Sequence, residues 1–123
     1  MHLYEYAIIR FVPKVEREEF INVGLLLYCK ASRFLAFRYH INTEKFKSFP
    51  SEISLEELEL HLVAFEKIAK GFPGSAIGAL EISERFRWLS AVKSSVLQSS
   101  RPHPGRTLDL DKTFESLFQS LIL

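Results

Sequence analysis

Apolar positions along the chain fall into short strand-like runs near the start, a long helical stripe in the middle and a second helical stripe at the end, with polar or Gly/Pro-rich connections between them. Residues 3–12 are rich in aromatic and β-branched side chains. They end at Pro13, which cannot donate to a ladder and pushes its predecessor toward extended geometry, so they read as a first strand. Residues 22–29 form an apolar run, and residues 34–40 form another after the turn-like Lys30-Ala31-Ser32-Arg33. Connections this short favour an antiparallel meander.

The next element is a helix. Ser54 with Glu57 three residues on predicts a reciprocal capping box, and Gly71 followed by Pro73 predicts the stop. Between them Leu55, Leu58, Leu62, Phe65 and Ala69 share one face, while Glu56, Glu57, Glu59, Glu66 and Lys67 fall largely off it and read as a solvated face. Gly71-Phe72-Pro73-Gly74-Ser75 reads as a loop, and Ser83 with Glu84 begins a short helical segment through Trp88 and Leu89. A strand is expected within residues 94–100, and Pro102-His103-Pro104-Gly105 is expected to break regular structure. Asp109 or Asp111 starts a last helix whose Phe114, Leu117, Phe118, Leu121 and Ile122 make an apolar stripe. The apolar end, Leu121-Ile122-Leu123, should dock on the body or on a second copy. Strands followed by a helix and a mixed tail predict an α+β fold: an antiparallel sheet of three to five strands with two or three helices packed on one face, as a single domain over residues 1–123.

At 123 residues, 47% hydrophobic and 25% charged, the chain has an ordinary globular composition, and its eleven Phe residues point to an aromatic-rich core. A net charge of +1 provides no global field for nucleic acid or anionic membrane, so any basic site is local. One cysteine excludes an intrachain disulfide framework. The chain begins with Tyr4-Glu5-Tyr6 where a secretory leader would show a basic region and a long apolar run, which makes the cytoplasm the expected location. No run approaches the roughly 20 apolar residues of a membrane-spanning helix, so no membrane association is expected.

Candidate chemistry concentrates at the connection after the first strand. Regular alternation puts Arg10 on the face of Tyr4, Tyr6, Ile8 and Val12, where a partly buried charge needs a partner. Glu16, Glu18 and Glu19 follow, with Arg17 among them, so an ion-pair network is expected at the sheet edge. Asn22 and Gly24 are expected to share one face of the second strand, where a glycine marks a bulge or a close approach. The functional reading is a small pocket for an anion or a peptide carboxylate, and the structural one is a cluster that sets turn and register. A second candidate is the stretch 85–106, where Arg85, Arg87, Lys93, Arg101 and Arg106 are balanced only by Glu84, with Trp88 and His103 between them. Basic side chains with an aromatic suit phosphate or single-stranded nucleic acid. Their spacing follows no fingerprint, and a solvated surface or a complement to the acidic helix explains them as well. His2, His40, His61 and His103 show no metal-ligand spacing with one another or with Cys29, and Cys29 reads as a buried small hydrophobe. Ser94 and Ser95 lack a nucleophile-elbow context, and Gly71, Gly74 and Gly78 follow neither a dinucleotide nor a P-loop pattern. No metal or other cofactor is expected, and no pattern assigns catalytic residues, so whether the chain is an enzyme stays open.

Three stretches of the chain also carry a resemblance. These are Tyr4-x-Tyr6 with Arg10-Phe11-Val12-Pro13; Arg17-x-Glu19-Phe20-x-Asn22-Val23-Gly24; and Arg85-Phe86-x-Trp88-Leu89 with Ser94-Ser95-Val96-Leu97-Gln98. Together they resemble the bacterial proteins of unknown function grouped as family 3037, over most of the chain. Lys14-Val15 stand where that family has an Asp-containing turn after the proline. The resemblance implies a small bacterial cytoplasmic protein and carries no reaction to any residue. A regulatory or partner role beside a kinase-like protein is a further implication. The leading expectation is a non-catalytic interaction or regulatory module with an unidentified protein partner. Its candidate binding residues are Arg10, Arg17, Glu19, Asn22, Gly24, Arg85, Ser94 and Ser95. The alternatives are a phosphate- or nucleic-acid-directed enzyme or binder, with Arg10, Arg17, Arg85 and Arg101 clamping phosphate and Glu19 as base, and a homodimer-forming structural subunit.

Overall fold

The chain combines apolar strands with helices apolar on one face, and the computed structural model packs them into a sheet covered on both sides. The structure describes residues 1–74, 76–91 and 95–123. Strands β1 (His2–Phe11), β2 (Ile21–Cys29) and β3 (Phe34–Tyr39) form the antiparallel meander, joined to β4 (Leu97–Ser99) and β5 (His103–Thr107), which both pair with β1. The sheet order is β3-β2-β1-β4, with β5 continuing along the same side of β1. Helices α1 (Thr43–Lys47), α2 (Leu55–Lys70) and α3 (Ile82–Leu89) cover one face, and α4 (Leu110–Leu121) covers the other.

Three helices on one face match the expected α+β layering; α4 adds a second layer. Ile9, Phe11, Val23, Leu26 and Tyr28 pack under Leu58, Leu62, Phe65, Phe86 and Leu89. On the opposite face Leu25, Leu27 and Cys29 pack under Leu110, Phe114, Phe118 and Ile122, so the apolar C-terminal segment docks on the body. Burial on both faces explains why β2 reads as an unbroken apolar run from Val23 to Cys29. The capping box at Ser54 and Glu57 forms. At the other end of α2, Gly71 at φ +74° completes a Schellman turn, its N–H reaching Ile68 O and that of Phe72 reaching Lys67 O.

Two expectations are corrected. The Pro102-His103-Pro104-Gly105 segment does not break regular structure: only Ser100, Arg101 and Pro102 interrupt the edge, and His103, Pro104 and Gly105 belong to β5. Ser100 N–H bonds Ile8 O at 2.8 Å, so the even-numbered residues of β1 bond toward this edge. Pro104 lies opposite odd-numbered Glu5, where its nitrogen faces away from the ladder, a position an edge strand allows. The buried Ser100 hydroxyl takes the Ile8 N–H at 2.9 Å and closes the break. Asn22 and Gly24 do not share a face, because the β1–β2 register shifts: Ile9 pairs with Gly24 but Arg10 with Asn22, leaving Val23 extra. Beyond this bulge the side-chain phase reverses, so Val23 and a Cβ on Gly24 both point toward the α2 side, where that Cβ would sit 2.7 Å from the Phe37 ring.

Candidate functional site

The β1–β2 bulge decides what surrounds Arg10. Alternation with the buried Ile9 and Phe11 turns Arg10 to the α4 face, the face of Tyr4, Tyr6 and Ile8 as expected. The bulge brings Asn22, its cross-strand neighbour, to the same face. There Asn22 Nδ2 donates to Leu121 O at 3.4 Å, meeting one of the carbonyls that the end of α4 leaves unpaired. Asn22 Oδ1 is buried and without a partner among the described residues. α4 has no basic residue in its last turn, so a neutral amide is what meets its negative end.

Arg10 is half-buried, with its guanidinium carbon 4.3 Å over the centroid of the Phe20 ring. That stacking replaces the expected ion-pair network, which does not form around it. Among the described residues Arg10 makes no ion pair, and its Nε is buried without a hydrogen-bond partner. The carboxylates after the strand turn elsewhere for a local reason. Val15–Arg17 form one 3-10 turn closed by Glu18 in the left-handed region at φ 57°, and within it Arg17 Nε donates to Glu19. That hydrogen bond, reinforced by the charge of Glu19, raises the Arg17 pKa above its ordinary value. Arg17 and Glu19 therefore satisfy each other at the exposed turn, and Gly24 acts as the seat of the bulge.

Next to this corner lies a cleft of about 380 Å³ lined by Phe20, Ile21, Asn22, Lys45, Phe49 and the chain end from Leu121 to Leu123. Phe20, 47% exposed, is shared between the cleft and Arg10. Lys45 enters from α1, a helix absent from the sequence expectation; the Asn42 side chain caps it by accepting the Lys45 N–H at 3.1 Å. The signal was present as Asn42-Thr43-Glu44, a capping residue before an acidic first turn. Phe20, Lys45 and Phe49 are the site residues the sequence reading missed; the capping residue before α1 was the usable sign for Lys45.

The second candidate cluster does not assemble with the first. Arg85 lies on α3, across the sheet from Arg10, with its guanidinium pressed against Gly71 at the C-terminal end of α2. Arg87 makes two hydrogen bonds to Glu5, at 3.1 and 2.9 Å. Trp88 packs on Phe65 at 6.3 Å, and His103 packs on Tyr6 at 5.1 Å between ring centroids. Arg101 is exposed in the interruption between β4 and β5. The four-arginine clamp expected from Arg10, Arg17, Arg85 and Arg101 is therefore not built. Ser95 donates its hydroxyl to Leu97 O at 2.8 Å and shapes the entry to β4, while Ser94 lies outside the described residues. Among the described residues no group of His, Cys, Asp or Glu could hold a metal ion, and no helix is long and apolar enough to cross a membrane. Cys29 is fully buried under α4.

Among the described residues the corner thus offers a cation without an ion-pair partner, an unpaired amide oxygen, an aromatic face and a cleft of mixed lining with Lys45 at its edge. No curated protein and no solved structure matches the chain. The family model described as protein of unknown function (DUF3037) matches residues 6–122, nearly the whole chain, and the chain belongs to that family.

Proposed function

We propose that the chain is a non-catalytic interaction module of the bacterial cytoplasm that grips a segment of a protein partner at the Arg10–Phe20–Asn22 corner. The observation that carries this reading is the half-buried Arg10, stacked on an exposed aromatic ring with no ion-pair partner among the described residues. A half-buried guanidinium with a buried, unpartnered Nε loses part of its hydration, and a ligand carboxylate arriving at that point compensates with a charge-assisted hydrogen bond. The neighbouring groups define the rest of the segment. An N–H meets Asn22 Oδ1, an apolar side chain enters between Phe20 and Phe49, and a second acidic group reaches Lys45. Regulation through a kinase-like partner is one form such a module takes.

The test is capture of partners from native bacterial lysate by wild type, Arg10→Gln and Arg17→Ala, with titration of synthetic acidic-apolar peptides drawn from whatever protein is retained. Wild type and Arg17→Ala should retain the same protein and bind the peptide alike, and Arg10→Gln should lose at least about tenfold in affinity, the scale of one charged contact. Equal binding by Arg10→Gln would sink the reading. The same uncompensated Arg10 also supports a phosphate ligand, and retention of nucleic acid that falls steeply with added salt would favour that second reading.

A further inference from the structure

We infer that α2 carries a self-association surface and pairs antiparallel with α2 of a second copy of this chain. The side of α2 opposite the buried Leu58, Leu62, Phe65 and Ala69 is not uniformly polar. Leu60 stands on it 69% exposed, and Ala64 follows one turn on, also exposed. A large apolar side chain held in water beside a small one makes a knob next to a hole. The hole is a cleft of about 250 Å³ bounded by Ala64, Lys67, Ile68 and Phe72, and Phe72 is itself 48% exposed.

The occupant is identified by symmetry. A twofold axis requires the surface to complement itself, each residue meeting its counterpart across the axis. If two copies of α2 run antiparallel with the axis at position 62, Leu60 of each copy faces Ala64 of the other. The same axis places Glu57 opposite Lys67, since both pairs are centred on that position. One register therefore sets Leu60 against Ala64, at the edge of the cleft, and Glu57 against Lys67. The charges of the helix follow the same sense, with Glu56, Glu57 and Glu59 in its first half and Lys67 and Lys70 in its second. Glu57 uses one carboxylate oxygen to cap the Ser54 N–H, at 3.2 Å, and keeps the other. Lys67 makes no ion pair among the described residues, whereas Lys70 is already engaged with Glu66 at 3.7 Å. A single helix pair buries less than the roughly 1,200–2,000 Å² of a standard stable interface, so the dimer dissociates on dilution. It uses neither Arg10, Phe20 nor Asn22 and stands independently of the function proposed above.

Sedimentation equilibrium of the full chain, across concentrations from micromolar to millimolar, tests this. The wild-type mass should rise from 14.2 kDa toward twice that value. Ala64→Glu, with its helix content checked by circular dichroism, should stay monomeric. Lys67→Glu should weaken association by about tenfold, and the double variant Glu57→Lys/Lys67→Glu should regain it, because the swap restores the opposite charges. A wild type that stays at 14.2 kDa throughout would overturn the inference, as would association unaffected by Ala64→Glu. A double variant no better than Lys67→Glu would overturn the antiparallel register.

Discussion

Two arginines occupy comparable depths in this fold and are treated in opposite ways. Arg10 and Arg85 both hold a buried Nε without a hydrogen-bond partner among the described residues, and they lie on opposite faces of the same sheet. Arg85 lies against the C-terminal end of α2, where the unpaired carbonyls carry partial negative charge, so its cation closes a structural circuit. Arg10 lies beside the end of a strand, on a phenylalanine ring, with an open cleft next door. A half-buried arginine is thus no site by itself; what separates the two is what the guanidinium lies against, a helix end for Arg85 and an aromatic ring beside a cleft for Arg10.

The largest expected effects come from the glycine that supports each corner. Gly24→Val puts a branched side chain into the Phe37 ring and should cost about 3 kcal/mol by overpacking, read by chemical denaturation. The neighbouring bulge, and with it Asn22, should lose its position. Gly71→Ala should cost about 1–2 kcal/mol, because an L side chain is strained at φ +74° and its Cβ falls on the Arg85 guanidinium. A Gly71→Ala protein as stable as wild type would mean that Arg85 does not hold the α2 terminus.

The arginines themselves sharpen the contrast. Arg85→Leu should lower stability by about 1 kcal/mol, the scale of a charge lost from a helix terminus. Arg10→Leu should change it by less than about 0.5 kcal/mol or raise it, since removing a half-buried charge that lacks a counter-ion relieves desolvation. Equal losses from both substitutions would erase the distinction between a structural and a ligand-facing arginine.

The smallest effect lies at a third arginine that does have its counter-ion. Arg38 Nη1 donates to Glu115 on α4 at 2.7 Å and lies over the Phe114 and Phe118 rings, 5.4 and 5.0 Å from their centroids. The Arg38 hydrogen bond, then that of Gln119, holds the Glu115 carboxyl below its ordinary value. A lowered folded-state pKa contributes stability above the unfolded pKa and loses it as pH falls through the folded one. Wild type should therefore lose slightly more thermal stability than Glu115→Gln between pH 6 and pH 3, in melts compared at roughly these pH values on either side of the carboxylate range. Parallel melting curves would show that the pair contributes nothing.

Much of the fold was legible along the chain. The three strands of the meander, the capped α2 and the apolar stripe of α4 follow from periodicity and terminal residues that act within a few positions, while the structure chose Asp109 over Asp111 as the α4 cap. The candidate site was legible in its address but not in its wiring. Arg10 and Asn22 belong to it, Arg17 and Glu19 satisfy each other outside it, Gly24 shapes it from beneath, and Arg85 belongs to another corner. Alternation along a strand assumes an unbroken register, and the extra Val23 cancels it in one step.

By itself the sequence determined the α+β class, the β1–β3 meander and the capping box of α2, because these are set by neighbours in the chain. Only the tertiary structure decided which charges meet. Asn22 reaches the end of α4 across 99 residues and Arg87 reaches Glu5 across 82, while Pro104 is tolerated because its nitrogen faces off an edge. Partner choice for a polar group is a competition among everything the fold brings within hydrogen-bond reach, and that reach is set by three-dimensional packing. The same competition leaves Arg10 without an ion-pair partner among the described residues.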